Sequence, residues 1–451
     1  MKKLLIALSV LLSSFTSWAV TYTQPIHVEG GLVEGIVENG VEVFKGIPFA
    51  APPVGDLRWK APQPVEPWRG ILVCDEFEKA PLQKEQARHP KGWKNLDEMN
   101  KATGEDCLYL NVWTPQKRSG DKLPVMVWIY GGGFHVGATD APVYRGDVYA
   151  EKGVVMVSIP YRLGIFGYLA HPELSKESGH GSGNYAFMDQ LAGLKWVKDN
   201  IAAFGGDPDN ITVFGQSAGS RSIQGLICSP LSEGLFQRAI PQSGCAIRTD
   251  AICLPLNENE NLGKAFFESI GITNLDEMRA IDGVALQTAY ENSPYFTKFR
   301  PSVDGYVLRE EMMDATRAGH YLDIDYMIGY TKDDVPAADF PTTIGLWAEN
   351  QVGHLGRRPV YVYSFDHPQP GEPEDDVFGA KGVIHSAELP YMFGQVKLST
   401  KPMTTKDYEL ADRMATYWTN FAKYGNPNGK KDGEWQAYSK TSPNVFHLDV
   451  K

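Results

Sequence analysis

Cysteine is scarce. Cys74, Cys107, Cys228, Cys245 and Cys253 are the only five in 451 residues, and an odd count leaves at least one thiol free in any arrangement. A disulfide framework therefore does not carry this fold. Histidine is little richer, at ten; no HExxH pair occurs and the spacing is too scattered for a zinc cage, so neither a metal nor an organic cofactor is expected. Positive charge is short as well. Lys and Arg number 43 against 55 Asp and Glu, for a formal charge of −12. No basic stripe interrupts that balance, which argues against a nucleic-acid partner. Beyond the N-terminus there is no apolar run long enough to span a bilayer, and there is no internal repeat.

What is present is an ordinary globular composition, 43% hydrophobic with 45 Gly and 30 Pro, sufficient for a large α/β domain or for two or three smaller ones. The first residues form a targeting segment. Lys2 and Lys3 give a basic start, Leu4 to Leu12 is an apolar run too short for a membrane span, and Ser17-Trp18-Ala19 places small residues three and one before a cut. Cleavage after Ala19 is expected. The pattern is bacterial, so the mature chain is expected to be exported to the periplasm or the medium. Export permits disulfides; Cys245 with Cys253 is the favoured pair, Cys74 with Cys107 a second, and buried free thiols the alternative to both.

Along the chain, Ile26 to Val43 alternates as hairpin strands do, and the Pro-rich stretch 46–69 reads as an ordered loop. Residues 83–104 read as a polar surface loop. Leu108–Trp113, Val125–Tyr130, Val154–Ile159, Ile211–Phe214, Arg238–Ile240, Tyr326–Gly329 and Val360–Phe365 read as strands. Those that are continuously apolar suit the middle of a sheet covered on both faces. Apolar residues at threes and fours from Asn184 to Phe204 predict an amphipathic helix ending at Gly205-Gly206. Met403 to Tyr424 predicts a C-terminal helix ended by Gly425 and Pro427. Strands alternating with helices argue for an α/β fold with a mostly parallel sheet. The acidic stretch Glu372 to Asp376 reads as a solvated loop.

The chemistry centres on Gly215-Gln216-Ser217-Ala218-Gly219, a GxSxG between a predicted strand and a predicted helix. With glycine at one position in ten, about 0.3 chance matches are expected in a chain of this length, so the motif needs partners. A serine hydroxyl needs a base, and the base needs a carboxylate to hold its tautomer. In the chain order Ser, acid, His, both follow Ser217. Of His320, His354, His367 and His385, only His385 lies in a compact apolar stretch, Gly382 to Tyr391. The acid is sought at Asp333-Asp334, after the strand ending near Gly329, because strand-end loops gather reacting groups in open α/β sheets. Tyr130-Gly131-Gly132-Gly133-Phe134 follows a core strand and offers bare backbone N–H groups. Two of these with the N–H of Ala218 can donate to a developing oxyanion. A phosphate cradle is the rival use of three glycines, but no Gly-Lys-Ser/Thr follows.

These stretches resemble the type-B carboxylesterase family, which includes bacterial para-nitrobenzyl-type esterases and the cholinesterases. The likeness is carried by Gly46 to Gly55, Glu105 to Asn111, Tyr130 to Phe134, Gly183-Asn184, Asp189-Gln190 and Trp196 to Pro208. It continues through Gly215 to Gly219, Gln242-Ser243-Gly244, Val303-Asp304-Gly305, His385 to Gly394 and Tyr417 to Ala422, in family order. The resemblance implies one α/β-hydrolase domain over 20–451 acting on small-molecule carboxylic esters through an acyl-enzyme. Ser217 matches the nucleophile, His385 the base and Asp334, rather than Asp333, the acid. Gly132, Gly133 and Ala218 match the oxyanion donors. Arg58 and Glu105 match a structural ion pair, and Glu388 and Ser243 a buried polar network behind the histidine. An aryl-ester (feruloyl-type) esterase or an amidase is the alternative within hydrolases, and a non-catalytic binding relative the alternative outside them. This chain departs from the family pattern at four places. Its acid is Asp where Glu is usual, and Gln216 stands for a common Glu, removing a negative charge from the site. Leu82 replaces the cysteine partner of Cys107. Asp334 and His385 are separated by only 51 residues, so the segment between 335 and 384 is short and a more open cleft is expected.

Overall fold

Ten strands build the central sheet. They are β1 (Ile36–Glu38), β2 (Val41–Pro48), β3 (Tyr109–Pro115), β4 (Leu123–Ile129) and β5 (Val155–Ser158), then β6 (Gly206–Gln216), β7 (Arg238–Gln242), β8 (Asp325–Thr331), β9 (Val360–Phe365) and β10 (Phe446–Leu448). In space they run β10-β9-β8-β7-β6-β4-β5-β3-β2-β1. From β5 to β10 every pairing is parallel, and antiparallel pairing enters only at the N-terminal edge. The computed structural model describes residues 20–84, 102–115, 120–248, 251–354, 358–371, 381–431 and 433–450. The expected targeting segment 1–19, most of the polar stretch 83–104 and the acidic stretch 372–376 lie outside the described residues.

The parallel arrangement follows from the strand sequences. All seven residues of β4 and all six of β9 are buried, as strands covered by helices on both faces require. The covering helices include α1 (Tyr185–Asn200), α2 (Ala218–Cys228), α3 (Phe340–Gly353) and α4 (Thr405–Tyr424). α4 begins with a Thr404–Asp407 capping box and ends at Gly425 in the left-handed region. α1 departs from the amphipathic expectation, since twelve of its sixteen residues are buried, polar Asp189 and Gln190 among them. An apolar period marks one face of a helix, but polar residues on the other face can also be buried if they are paired.

Asp189 is paired. Arg162 Nη2 donates to its Oδ1 at 2.7 Å, while Arg162 Nε and the Arg162 main-chain N–H each donate to Oδ2 at 2.9 Å. Burial pushes the Asp189 carboxyl up and the guanidinium opposes it. Arg58 and Glu105 form a second, two-bonded pair at 2.5 and 2.6 Å. Arg58 Nη1 also donates to the Ile281 carbonyl at 2.7 Å, tying the Pro-rich loop to the segment around 281.

Neither expected disulfide forms. All five cysteines are free, so both Cys245–Cys253 and Cys74–Cys107 are corrected. Each thiol is packed into the protein instead. Cys74 Sγ lies 3.8 Å from the Leu72 carbonyl, and burial raises the thiol pKa of Cys107, Cys245 and Cys253, keeping them protonated and unreactive. Breaking a buried ion pair leaves an uncompensated charge, so Asp189→Ala is expected to destabilise the protein by about 3–5 kcal/mol. The measurement is urea unfolding, where the midpoint should fall with little change in slope.

Candidate active site

The ladder register sets where the loops emerge. Gly215 pairs with Ile129, Gln216 with Gln242, and Gln242 with Gly329. Four neighbouring strands thus end at one level, and the segments after them meet outside their carboxyl ends, where open α/β sheets place their ligands.

Ser217 is the turn between β6 and α2. Its φ is 59° and ψ −121°, a strained conformation for a non-glycine residue. It is held there because Ser217 N–H donates to the Gln242 carbonyl at 2.9 Å and Arg221 N–H to the Ser217 carbonyl at 3.0 Å. The flanking glycines are steric requirements. A Cβ on Gly219 would lie 2.0 Å from the Ile129 carbonyl oxygen, and one on Gly215 2.6 Å from the same atom. The sharp turn leaves the serine side chain half-buried at the head of α2.

The glycine loop after β4 runs against this turn. A Cβ on Gly131 would come within 2.9 Å of the Ser217 Cβ. The Gly132 carbonyl accepts from the N–H groups of His135 and Val136 at 3.0 and 3.1 Å, which folds the loop on itself. The N–H groups of Gly132, Gly133 and Ala218 donate to no acceptor among the described residues. Backbone donors held in a fixed turn can stabilise negative charge without reorganising when it develops.

The turn after β8 carries Asp334, the candidate acid. Asp334 Oδ1 accepts from His385 Nδ1 at 2.6 Å and from the Val335 N–H at 2.8 Å. Its Oδ2 accepts from the Thr331 hydroxyl at 2.9 Å. Burial pushes this carboxyl up, but the hydrogen bond and charge of His385 and the Val335 amide prevail, holding it below the usual range. With Nδ1–H directed at Asp334, His385 keeps a lone pair on Nε2. That nitrogen lies 3.2 Å from Gln216 Nε2, beside the nucleophile turn. An imidazole oriented in this way can take a proton at Nε2 while the carboxylate steadies the resulting cation. The shorter Asp side chain, one methylene less than Glu, reaches the ring.

Sequence reasoning left several supporting residues unnamed. Thr331 and the Val335 N–H complete the hydrogen bonds of Asp334; Asp333, weighed beside Asp334 as the acid, instead accepts from the Val383 N–H at 2.8 Å. Nothing in the pattern distinguished these from ordinary loop residues. The segment between 335 and 384 contains α3 and β9. Beside it a cavity of about 420 Å3 is lined by residues that include Lys332, Asp334, Phe340 and Lys381. Behind the histidine, Glu388 and Ser243 are both buried. Burial, with the Asp334 charge adding to it, raises the Glu388 carboxyl to about 7. No group of His, Cys, Asp and Glu suited to a metal occurs among the described residues, and none of their helices is long and apolar enough to cross a membrane.

The carboxylesterase family model matches residues 23–342 and 338–451. Fumonisin B1 esterase of Sphingopyxis macrogoltabida is 36% identical over 92% of this chain and 84% of its own. Para-nitrobenzyl esterase of Bacillus subtilis is 33% identical over 94% of this chain and 95% of its own. A solved para-nitrobenzyl esterase structure superposes with a TM-score of 0.79 at 31% identity, covering 94% of this chain and 96% of that one.

Glu388 provides a test by pH. Its carboxyl titrates near 4.5 when unfolded and about 7 when folded. Between these values the folded state binds more protons than the unfolded state, so stability falls as pH rises. The loss is complete above pH 7 and absent below about 4.5. Glu388→Gln removes the titration, so it is expected to be more stable than the wild type at pH 8, by on the order of 3 kcal/mol, and indistinguishable near pH 4.5. Calorimetric melting across that range reads the difference.

Proposed function

The chain belongs to the carboxylesterase family and hydrolyses carboxylic esters, and we propose that it does so as a serine hydrolase built on Ser217, His385 and Asp334. Ser217 Oγ attacks the ester carbonyl carbon and its proton passes to His385 Nε2. The carbonyl oxygen becomes an oxyanion held by the N–H groups of Gly132, Gly133 and Ala218. As the intermediate collapses, the C–O bond to the alcohol breaks, and His385 returns the proton to the leaving oxygen. Water then gives a proton to His385 and attacks the acyl-enzyme, and the carboxylic acid leaves with Ser217 reprotonated. Asp334 holds the ring and balances the imidazolium formed in each half.

The observation that carries this reading is the 2.6 Å bond from His385 Nδ1 to Asp334 Oδ1, with Nε2 lying 3.2 Å from Gln216, the residue that precedes Ser217. The substrate is a small-molecule ester. Para-nitrophenyl butyrate should be hydrolysed by the wild type, and Ser217→Ala should lower kcat by about 10⁶-fold. Equal turnover in both would remove Ser217 from the mechanism, and an inactive wild type would favour a binding role.

Export completes the proposal, on the basic start, short apolar run and small residues before position 20. N-terminal sequencing of protein secreted by a bacterial host is expected to begin at Val20. A first residue of Met1 would refute cleavage.

A further inference from the structure

We propose that Asp333, the carboxylate next to the acid, is the positioning residue that fixes the main chain carrying His385. The two aspartates divide the work. Asp334 turns back to its own strand and holds the imidazole ring, whereas Asp333 reaches across to the histidine segment. Its N–H donates to the Val383 carbonyl at 3.1 Å, and its Oδ2 accepts from the Val383 N–H at 2.8 Å. Both polar groups of one residue, two before His385, are therefore captured by one aspartate.

Three features make this clamp matter. First, the segment from Lys381 to Glu388 has no strand or regular helix of its own before Leu389. Its cross-links to other described residues include the Val383 pair, Gln369 Nε2 donating to the Ala387 carbonyl at 2.9 Å, and the contacts of the His385 ring with Asp334 and Gln216. Second, Gly382 makes room for the carboxylate. Its φ is +98°, and a Cβ there would lie 2.4 Å from Asp333 Oδ2, so any side chain would displace the clamp. Third, Asp333 also lines the cavity of about 420 Å3, so on that side it faces open space rather than packed protein. Without the clamp the ring could shift with its backbone even while Nδ1 stays bonded to Asp334, and a displacement of about 1 Å at a reacting group can lower a rate by 10²-fold.

This rests on the proposed serine mechanism and is tested beside it. Kinetics on para-nitrophenyl butyrate are measured for the wild type, Asp333→Ala, Asp333→Asn and Asp334→Asn, with a melting curve for each. Asp333→Ala is expected to lower kcat about 10- to 100-fold with KM within about two-fold. Asp333→Asn keeps an oxygen acceptor for the Val383 N–H and should recover most of that loss, whereas Asp334→Asn should fall about 10⁴-fold. In a His385→Ala background, Asp333→Ala should lower the residual rate no further, because it acts through the histidine. Wild-type kcat in Asp333→Ala, an Asn variant as damaged as Ala, or an undiminished effect without His385 would each overturn the proposal. If Asp333→Ala does not fold, Gly382→Ala carries the test: kcat should fall at unchanged KM, and wild-type kcat would refute the clamp. An inactive wild type, or an active Ser217→Ala, would instead sink the serine mechanism itself.

Discussion

The parallel ladder joining β4, β6, β7 and β8 is the constraint on which the site depends. Ser217, Asp334 and the Gly132-Gly133 loop each sit within the first few residues after one of these strands, while His385 comes later in the chain, beyond β9. None of those segments could hold its geometry alone. What holds it is the pairing of Gly215 with Ile129 and of Gln242 with both Gln216 and Gly329. A slip of one residue in any pairing would turn its strand over and move its loop by about 3.3 Å. The buried faces of β4 and β6 forbid that slip, since it would carry Val127 or Phe214 out of its packing. Apolar burial on both sides of the sheet, remote from the chemistry, thus becomes precision at Ser217.

Strain at the nucleophile follows from the same constraint. The positive φ of Ser217 is unfavourable by about 1–3 kcal/mol, and it persists because the strand before it and the helix after it are both anchored. Gly215 and Gly219 let the turn pass against the Ile129 carbonyl. Elsewhere the fold tolerates charge in its interior only where a partner is fixed. Arg162 with Asp189 and Arg58 with Glu105 are two-bonded pairs in which the planar guanidinium meets both carboxylate oxygens, the geometry in which Arg is not replaceable by Lys. Glu388 has no such cation, and its carboxyl responds by holding its proton to about pH 7.

How legible all this was depended on the kind of signal. The core strands were readable because continuous apolar runs such as Val125 to Ile129, too short to cross a membrane, have few uses other than the middle of a sheet. The strand–turn–helix at Ser217 was readable because glycine spacing marks a sharp turn, and glycine spacing with chain order is what singled out the glycine loop and His385 as candidates. α3 was not: Phe340 to Gly353 mixes Pro, Thr and Gly with apolar residues, and its helix is fixed by packing of Phe340, Ile344 and Trp347 rather than by propensity. The period of α1 marked a helix correctly but mistook its environment, because Asp189 and Gln190 look solvated until their partners are known. The disulfide pairs failed for a related reason. Export makes a bond permissible, but only the placement of each sulfur decides whether it forms. From the residues alone, Asp333 and Asp334 were interchangeable, and the resemblance singled out Asp334. Their division follows from a turn that points one carboxylate at a ring and the other at a main-chain N–H.

Charge around His385 gives the arrangement its balance. In the proposed mechanism the imidazolium is opposed by Asp334, whose Oδ1 lies 2.6 Å from His385 Nδ1. Glu388 sits behind it with a carboxyl pushed up to about 7, so near neutral pH much of it carries no charge. Gln216 occupies the position beside Nε2 where relatives of this family commonly carry Glu, and it is neutral at every pH. A third carboxylate there would make the imidazolium more favourable and so hinder return of the proton to the leaving alcohol. It would also lie beside the place where the oxyanion develops, opposing it directly. With Gln216, the amide can meet Nε2 without adding charge, and one full negative charge faces one transient positive charge. In the proposed mechanism the oxyanion is then left to the backbone N–H groups of Gly132, Gly133 and Ala218. Because those donors are uncharged, they can stabilise charge as it develops without adding a fixed charge of their own.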